Sequence, residues 1–84
     1  MMELHLITPQ EEILKATVRC VTIPGRCGQF QVLPGHTALL SLVQPGSLCY
    51  ETTTGKSGCF AVGAGHAEVV DEVVTVAVDD ARPE

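Results

Sequence analysis

The chain has 84 residues, of which 45% are hydrophobic and 4% aromatic, and its formal net charge is −5. This length predicts a single domain over residues 1–84, and the apolar content excludes intrinsic disorder. The negative charge and the scarcity of aromatic side chains argue against nucleic acid and against direct membrane binding. No apolar stretch is long enough to span a bilayer, and the N-terminus has no signal-peptide pattern.

Regular turns separate short β-branched runs along the chain. In residues 4–8, Leu4, Leu6 and Thr8 alternate with His5 and Ile7 as they would on the two faces of a strand. Residues 17–23 are rich in β-branched side chains. The next turns are predicted at three Pro-Gly pairs spaced about ten residues apart, because Pro presets φ for a turn and Gly accepts a positive φ. These pairs are Pro24-Gly25, Pro34-Gly35 and Pro45-Gly46. This spacing is typical of an all-β sandwich or barrel.

The remaining segments complete this prediction. Residues 36–42 contain good helix formers, and at most one short helical turn is predicted there. Asp71-Glu72 marks a hairpin, and the run 73–78 that follows it is apolar on both faces, as in a central strand covered on both sides. Residues 79–84 are polar and are expected to fray. The predicted fold is a small, flattened β-sandwich or barrel of about 8–10 short strands.

The cysteines and histidines do not indicate a metal site, because the sequence has no C-x-x-C pair and the histidines lie far apart. Reduced thiols in the role of small buried hydrophobes are therefore predicted, with a disulfide or metal ligation as the less favoured alternative. The residues concerned are Cys20, Cys27, Cys49, Cys59, His5, His36 and His66.

The segment Gly55-Lys56-Ser57 is similar to the end of a phosphate-binding loop. That motif needs a Gly where Tyr50 stands and a helix after the Ser, whereas a strand-like run follows here. A second interpretation is a lipoyl- or biotinyl-type carrier domain with Lys56 as the modified residue at a hairpin tip. This carrier function is the alternative to the one that follows.

Residues 24–40 read PGRCGQFQVLPGHTALL and resemble the signature of the ATP synthase epsilon subunit, P-G-x-x-G-x-F/L-G-x-L-P-G-H-A/T-x-L-L. Residues 6–9, 61–69 and 73–79 resemble further parts of this family in the right order, so the resemblance covers nearly the whole chain. Gln31 departs from the pattern where the family usually has Gly, and Cys27 replaces a usual acidic residue.

The resemblance implies a non-catalytic subunit of the central stalk, or rotor, of a proton-translocating F-type ATP synthase. Such a subunit couples the gamma subunit to the c-ring during ATP synthesis and needs no cofactor. It is expected to be peripheral, on the cytoplasmic side of the bacterial plasma membrane, as part of F1. Most members continue into a C-terminal helical hairpin that can inhibit ATP hydrolysis, and this chain is expected to lack that domain.

The resemblance also implies partner-binding residues and no catalytic, cofactor-binding or metal residues. The turn at residues 26–30 corresponds to the part of the family that lies toward the c-ring. Residues 36–40 and the end of the first strand correspond to parts that lie near gamma. The implied contacts are Thr8, Arg26, Gly28, Gln29, Phe30, His36, Thr37, Leu39 and Leu40.

Overall fold

The computed structural model describes residues 1–35 and 38–84. Their regular structure consists of nine strands, which confirms the predicted all-β fold. The strands are β1 (Met2–Ile7), β2 (Glu12–Gly25), β3 (Gly28–Val32), β4 (Leu39–Val43), β5 (Gly46–Thr52), β6 (Ser57–Val62), β7 (Gly65–Val70), β8 (Val73–Val78) and β9 (Ala81–Pro83). Within the described residues, no helix has the length and apolar character that a membrane crossing requires.

The strand order is β1-β8-β7-β4-β2-β5-β6-β9, and β1 also pairs with β2, so five strands close on themselves. The long β2 makes this closure possible: its first half pairs with β1, and Gly25 at its end pairs with Val43 of β4. β3 pairs with the second half of β2, and β1 runs parallel to β8. The result is a sandwich of two curved layers that share β2.

Alternate side chains of the strands fill the space between the layers. Met2, Leu4 and Leu6 of β1 point inward, as do Val74 and Val76 of β8, and all are at most 1% exposed. Burying a side chain of this size stabilises the fold by roughly 1.5–3 kcal/mol. The core therefore follows the period of two that the sequence displays.

Two segments contain more strand structure than the sequence suggested. Leu39–Val43 form strand β4, so the helical turn that was allowed over residues 36–42 is not found in the described part of that segment. Cross-strand pairing with β7 outweighs the helix propensity of the leucines here. In the segment 79–84, for which fraying is predicted, Ala81–Pro83 form β9 and pair with β6.

The run 73–78, predicted to be a central strand covered on both faces, is central but is covered on only one face. The strand is central, with β1 on one side and β7 on the other. Its inward side chains are buried, but its outward side chains are only partly covered, and Val73 is 38% exposed. The second apolar face of this strand is therefore open to solvent in the chain by itself.

The expectation of four reduced, buried cysteines is also wrong. Cys49 of β5 and Cys59 of β6 lie directly opposite each other and are joined as a disulfide. Cys20 is half-buried and Cys27 is exposed, and both are free thiols. The sequence separation of 10 between the paired cysteines matches a hairpin, but only the strand register brings them face to face.

Candidate partner-binding surface

Strands β4 and β7 display exposed apolar side chains on the side that faces away from the core. Leu40 is 72% and Leu42 is 53% exposed, although both belong to a hydrogen-bonded strand. Leu40 lies opposite Glu68 and Leu42 lies opposite His66 in β7. We call the outward side chains of these two strands the β4–β7 face; they are Leu40, Leu42, His66, Glu68 and Val70.

This face continues across the sheet onto β8 and β1. The register aligns His66 with Ala77 of β8, and Ala77 with Ile7 of β1. At the hairpin end, Val70 lies opposite Val73, and these side chains are 42% and 38% exposed. Large exposed apolar groups that are contiguous across several strands mark an interaction surface more often than isolated ones do.

Thr8 lies at the edge of the same surface. It lines a shallow depression together with Ile7, Gly65, His66 and Ala77, among others. His66 also borders a second depression at Leu40 and Leu42, so the two depressions adjoin at His66. The structure thus brings the end of β1 and the outward residues of β4 to one side of the domain.

The Thr8 hydroxyl has a structural role in the turn after β1. It donates a hydrogen bond to the Glu11 carbonyl oxygen at 3.2 Å, and it accepts one from the Glu11 N–H at 3.4 Å. These bonds fix the turn that leads into β2. The Thr8 N–H also donates to the Glu11 carbonyl oxygen at 2.9 Å.

Acidic groups border the apolar part of this surface. His5, on the outward side of β1, is hydrogen-bonded through Nε2 to Glu3 at 3.1 Å and through Nδ1 to Glu12 at 3.0 Å. Glu68 projects from the middle of β7 and is exposed. Complementary charge favours encounter with the right partner, so this border suits a partner with basic residues around an apolar contact.

A second exposed element is the hairpin between β2 and β3. Gly25 pairs with Gly28, and Arg26 and Cys27 form the tip. Gly28 has a φ of +120°, which a residue with a Cβ rarely adopts, so the turn depends on this glycine. The Gln44 N–H donates to the Pro24 carbonyl oxygen at 2.9 Å, which ties the base of the hairpin to the end of β4.

The implied contact residues therefore fall into different environments. Arg26, Gly28 and Gln29 are exposed on the hairpin, and Leu40 is exposed on the β4–β7 face. Phe30 and Leu39 instead point toward the core and pack against it. The implied contacts at residues 36 and 37 lie outside the described residues.

The residues of the β4–β7 face that were not among the implied contacts are Leu42, His66, Glu68 and Val70. The alternation of exposed and buried residues along β7 is visible as a period of two in the sequence. It identifies two faces but does not say which one lies inward, because the assignment depends on which strands are neighbours.

The hairpin between β5 and β6 does not form a phosphate-binding loop. Ser57 begins strand β6 where that motif requires a helix. Lys56 is exposed, and its backbone N–H donates to the Thr52 hydroxyl at 3.0 Å within the turn. Gly55 provides the positive φ of 90° that this turn needs.

The fold and this surface define the class of the protein: a small β-sandwich with an open apolar face on one side. The chain belongs to the family "ATP synthase, Delta/Epsilon chain, beta-sandwich domain", whose model matches residues 1–84. The ATP synthase epsilon chain of Wolinella succinogenes is 41% identical over 81 residues, which are 96% of this chain and 62% of that protein. The epsilon chain of Helicobacter hepaticus is 40% identical over 78 residues, or 93% of this chain and 60% of that one. This chain thus spans about three fifths of the length of these relatives.

Solved structures agree with the family assignment. A chain in the cryo-EM structure of the Euglena gracilis mitochondrial ATP synthase, which includes OSCP, F1 and the c-ring, superposes with a TM-score of 0.91 at 33% identity. The match covers 98% of this chain and 52% of that one. A chain of the central stalk and c-ring of the Tetrahymena thermophila enzyme gives a TM-score of 0.82 at 25% identity, covering 96% and 65% of the two chains.

Proposed function

We propose that this domain is a non-catalytic part of the central stalk of an F-type ATP synthase and couples the gamma subunit to the c-ring. It works as a peripheral component of the membrane complex, on the cytoplasmic side in a bacterium. The domain spanning residues 1–84 forms the β-sandwich unit of this stalk subunit. The observation that carries the proposal is the open apolar face on strands of a domain that belongs to the epsilon family.

The β4–β7 face is proposed to bind gamma. The leucines of β4 stand on a strand that is hydrogen-bonded to β7 along its whole length, so they are held in place before binding. A preformed face loses little conformational entropy on association. A sandwich closed through β1–β2 pairing also transmits torque, because densely packed interiors have low compressibility.

Replacing Leu40 and Leu42 together with Ser is expected to weaken binding to gamma by about 100-fold. The two side chains lose roughly 3 kcal/mol of burial at the interface, whereas the free domain loses little because both are exposed. Isothermal titration of the domain with purified gamma measures the change. Lys56→Ser serves as the control, because it shortens a long exposed side chain on another hairpin. Equal affinity for gamma in wild type and double variant would contradict the proposed face.

The hairpin tip at residues 26–29 is proposed to contact the c-ring. Its exposed side chains are polar, so single contacts there contribute less than the leucines do. The double change Arg26→Ala and Gln29→Ala is expected to reduce capture of the domain–gamma complex by c-rings about fivefold, with gamma affinity unchanged. Pull-down with detergent-solubilised c-rings measures this. If the hairpin variant loses gamma instead and keeps the c-ring, the two assignments are reversed.

A further inference from the structure

One cluster outside the partner-binding surface combines thiols with a carboxylate. On the outward side of β5 and β6, Cys49 and Cys59 lie directly opposite each other, with Cα atoms 4.1 Å apart. Glu84 reaches this point because β9 runs alongside β6, and its N–H donates to the Cys59 carbonyl oxygen at 3.0 Å. The ligand atoms of these three side chains lie within 4.8 Å of one another, and they form the one such group of three in the described residues.

A neighbouring hydroxyl orients the carboxylate. Ser47 lies two residues before Cys49 on the same side of β5, and its hydroxyl donates to Glu84 Oε1 at 2.6 Å. The same hydroxyl lies 3.6 Å from the Cys49 sulfur. The carboxylate is thereby held beside the sulfurs, and both cysteines are half-buried while Glu84 remains exposed.

We propose that, after reduction of the disulfide, Cys49, Cys59 and Glu84 bind a thiophilic divalent cation of the Zn²⁺ class. Two thiolates and one carboxylate are a donor set that Zn²⁺ accepts in tetrahedral geometry, with water in the fourth position. Metal–ligand distances of about 2.0–2.3 Å place neighbouring ligand atoms about 3.3–3.8 Å apart, so the two sulfurs, which are bonded in the oxidised chain, must move apart by side-chain rotation after reduction. The ion would join β5, β6 and β9.

Conversion of the disulfide into the metal-bound form takes two steps. A dithiol reductant transfers two electrons and two protons to the Cys49–Cys59 bond, which breaks into two thiols while the reductant forms its own disulfide. The divalent cation then displaces the two thiol protons and binds both sulfurs and a Glu84 oxygen. The disulfide and the metal-bound form therefore exclude each other.

Cobalt titration of the reduced, metal-free chain tests this site, because thiolate-bound Co²⁺ gives a near-ultraviolet charge-transfer band. We expect one ion per chain and displacement of Co²⁺ by Zn²⁺. Cys49→Ser or Cys59→Ser is expected to weaken binding about 100-fold or more, and Glu84→Gln about tenfold. Cys27→Ser, which removes an exposed thiol at the other hairpin, is the control and should bind as wild type does.

A comparison of the reduced and oxidised wild-type chain removes any dependence on folding of the variants. Zn²⁺ should raise the melting temperature of the reduced chain and leave that of the oxidised chain unchanged, since binding to the folded state alone is stabilising. Three results would overturn the proposal: no charge-transfer band in the reduced wild type, equal Zn²⁺ binding by the oxidised chain, or loss of the band in Cys27→Ser with retention in Cys49→Ser.

Discussion

The Gly65→Ala variant is expected to lose at least about 2 kcal/mol of unfolding free energy. A Cβ at this residue would collide with the Ala77 carbonyl oxygen and would lie 2.7 Å from the Val78 Cα. These are backbone atoms of the paired strand β8, so no side-chain rotation relieves the contact. The whole domain is stabilised by roughly 4–12 kcal/mol for its size, and the loss is therefore a large fraction of the total. Equilibrium urea unfolding followed by circular dichroism measures it.

Gly58→Ala is the matched control, since Gly58 also lies in a strand. The added Cβ would lie 2.7 Å from the Tyr50 hydroxyl oxygen, which is the far end of a side chain that can turn away. We expect a change within about 1 kcal/mol, because replacing Gly by Ala also restricts the unfolded chain. Equal losses in the two variants would show that the close approach of β7 to β8 is not the cause.

The Leu6→Ala variant is expected to lose about 2–5 kcal/mol of unfolding free energy. Leu6 is 0% exposed and lies in β1, between β8 and β2, where neighbours on both sides prevent collapse around the cavity. Urea unfolding is again the measurement. A loss at the upper end of this range would unfold the isolated domain only if its stability lies near the lower end of the roughly 4–12 kcal/mol expected for this size.

Leu40→Ala is the control for this change, because the same atoms are removed from a side chain that is 72% exposed. Its stability should change by no more than about 0.5 kcal/mol, while its affinity for gamma falls. The two variants thus distinguish a leucine that stabilises the fold from a leucine that is proposed to bind a partner. If Leu40→Ala unfolded the domain as readily as Leu6→Ala, the β4–β7 face would not be a free surface.

Local sequence features predict much of this fold. The Asp71-Glu72 hairpin is a clear example, since both residues have the positive φ that a tight two-residue turn requires, 50° and 67°. The Pro24-Gly25 pair is less simple: it lies inside β2, and the turn begins only at Arg26. Pairing of Pro24 with Gln29 and of Gly25 with Gly28 extended the strand past the residues that suggested its end.

The candidate surface was only partly predictable. The family resemblance pointed to Leu40, which is exposed, and equally to Leu39 and Phe30, which pack against the core. A motif marks a stretch of chain, whereas successive side chains on a strand point to opposite faces. His66 and Leu42 are not among the implied contacts, and they become neighbours only through the pairing of β7 with β4.

The sequence by itself determined that this chain is a small all-β domain, because turn residues and β-branched alternation act over only a few residues. The epsilon type followed from the resemblance of residues 24–40 and of further segments to that family. The tertiary structure alone decided which of the two faces of each strand is covered. It also decided that Cys49 meets Cys59 and that β9 brings Glu84 beside them. These facts depend on strand register between distant segments, and a shift of one residue would have turned every side chain to the other face.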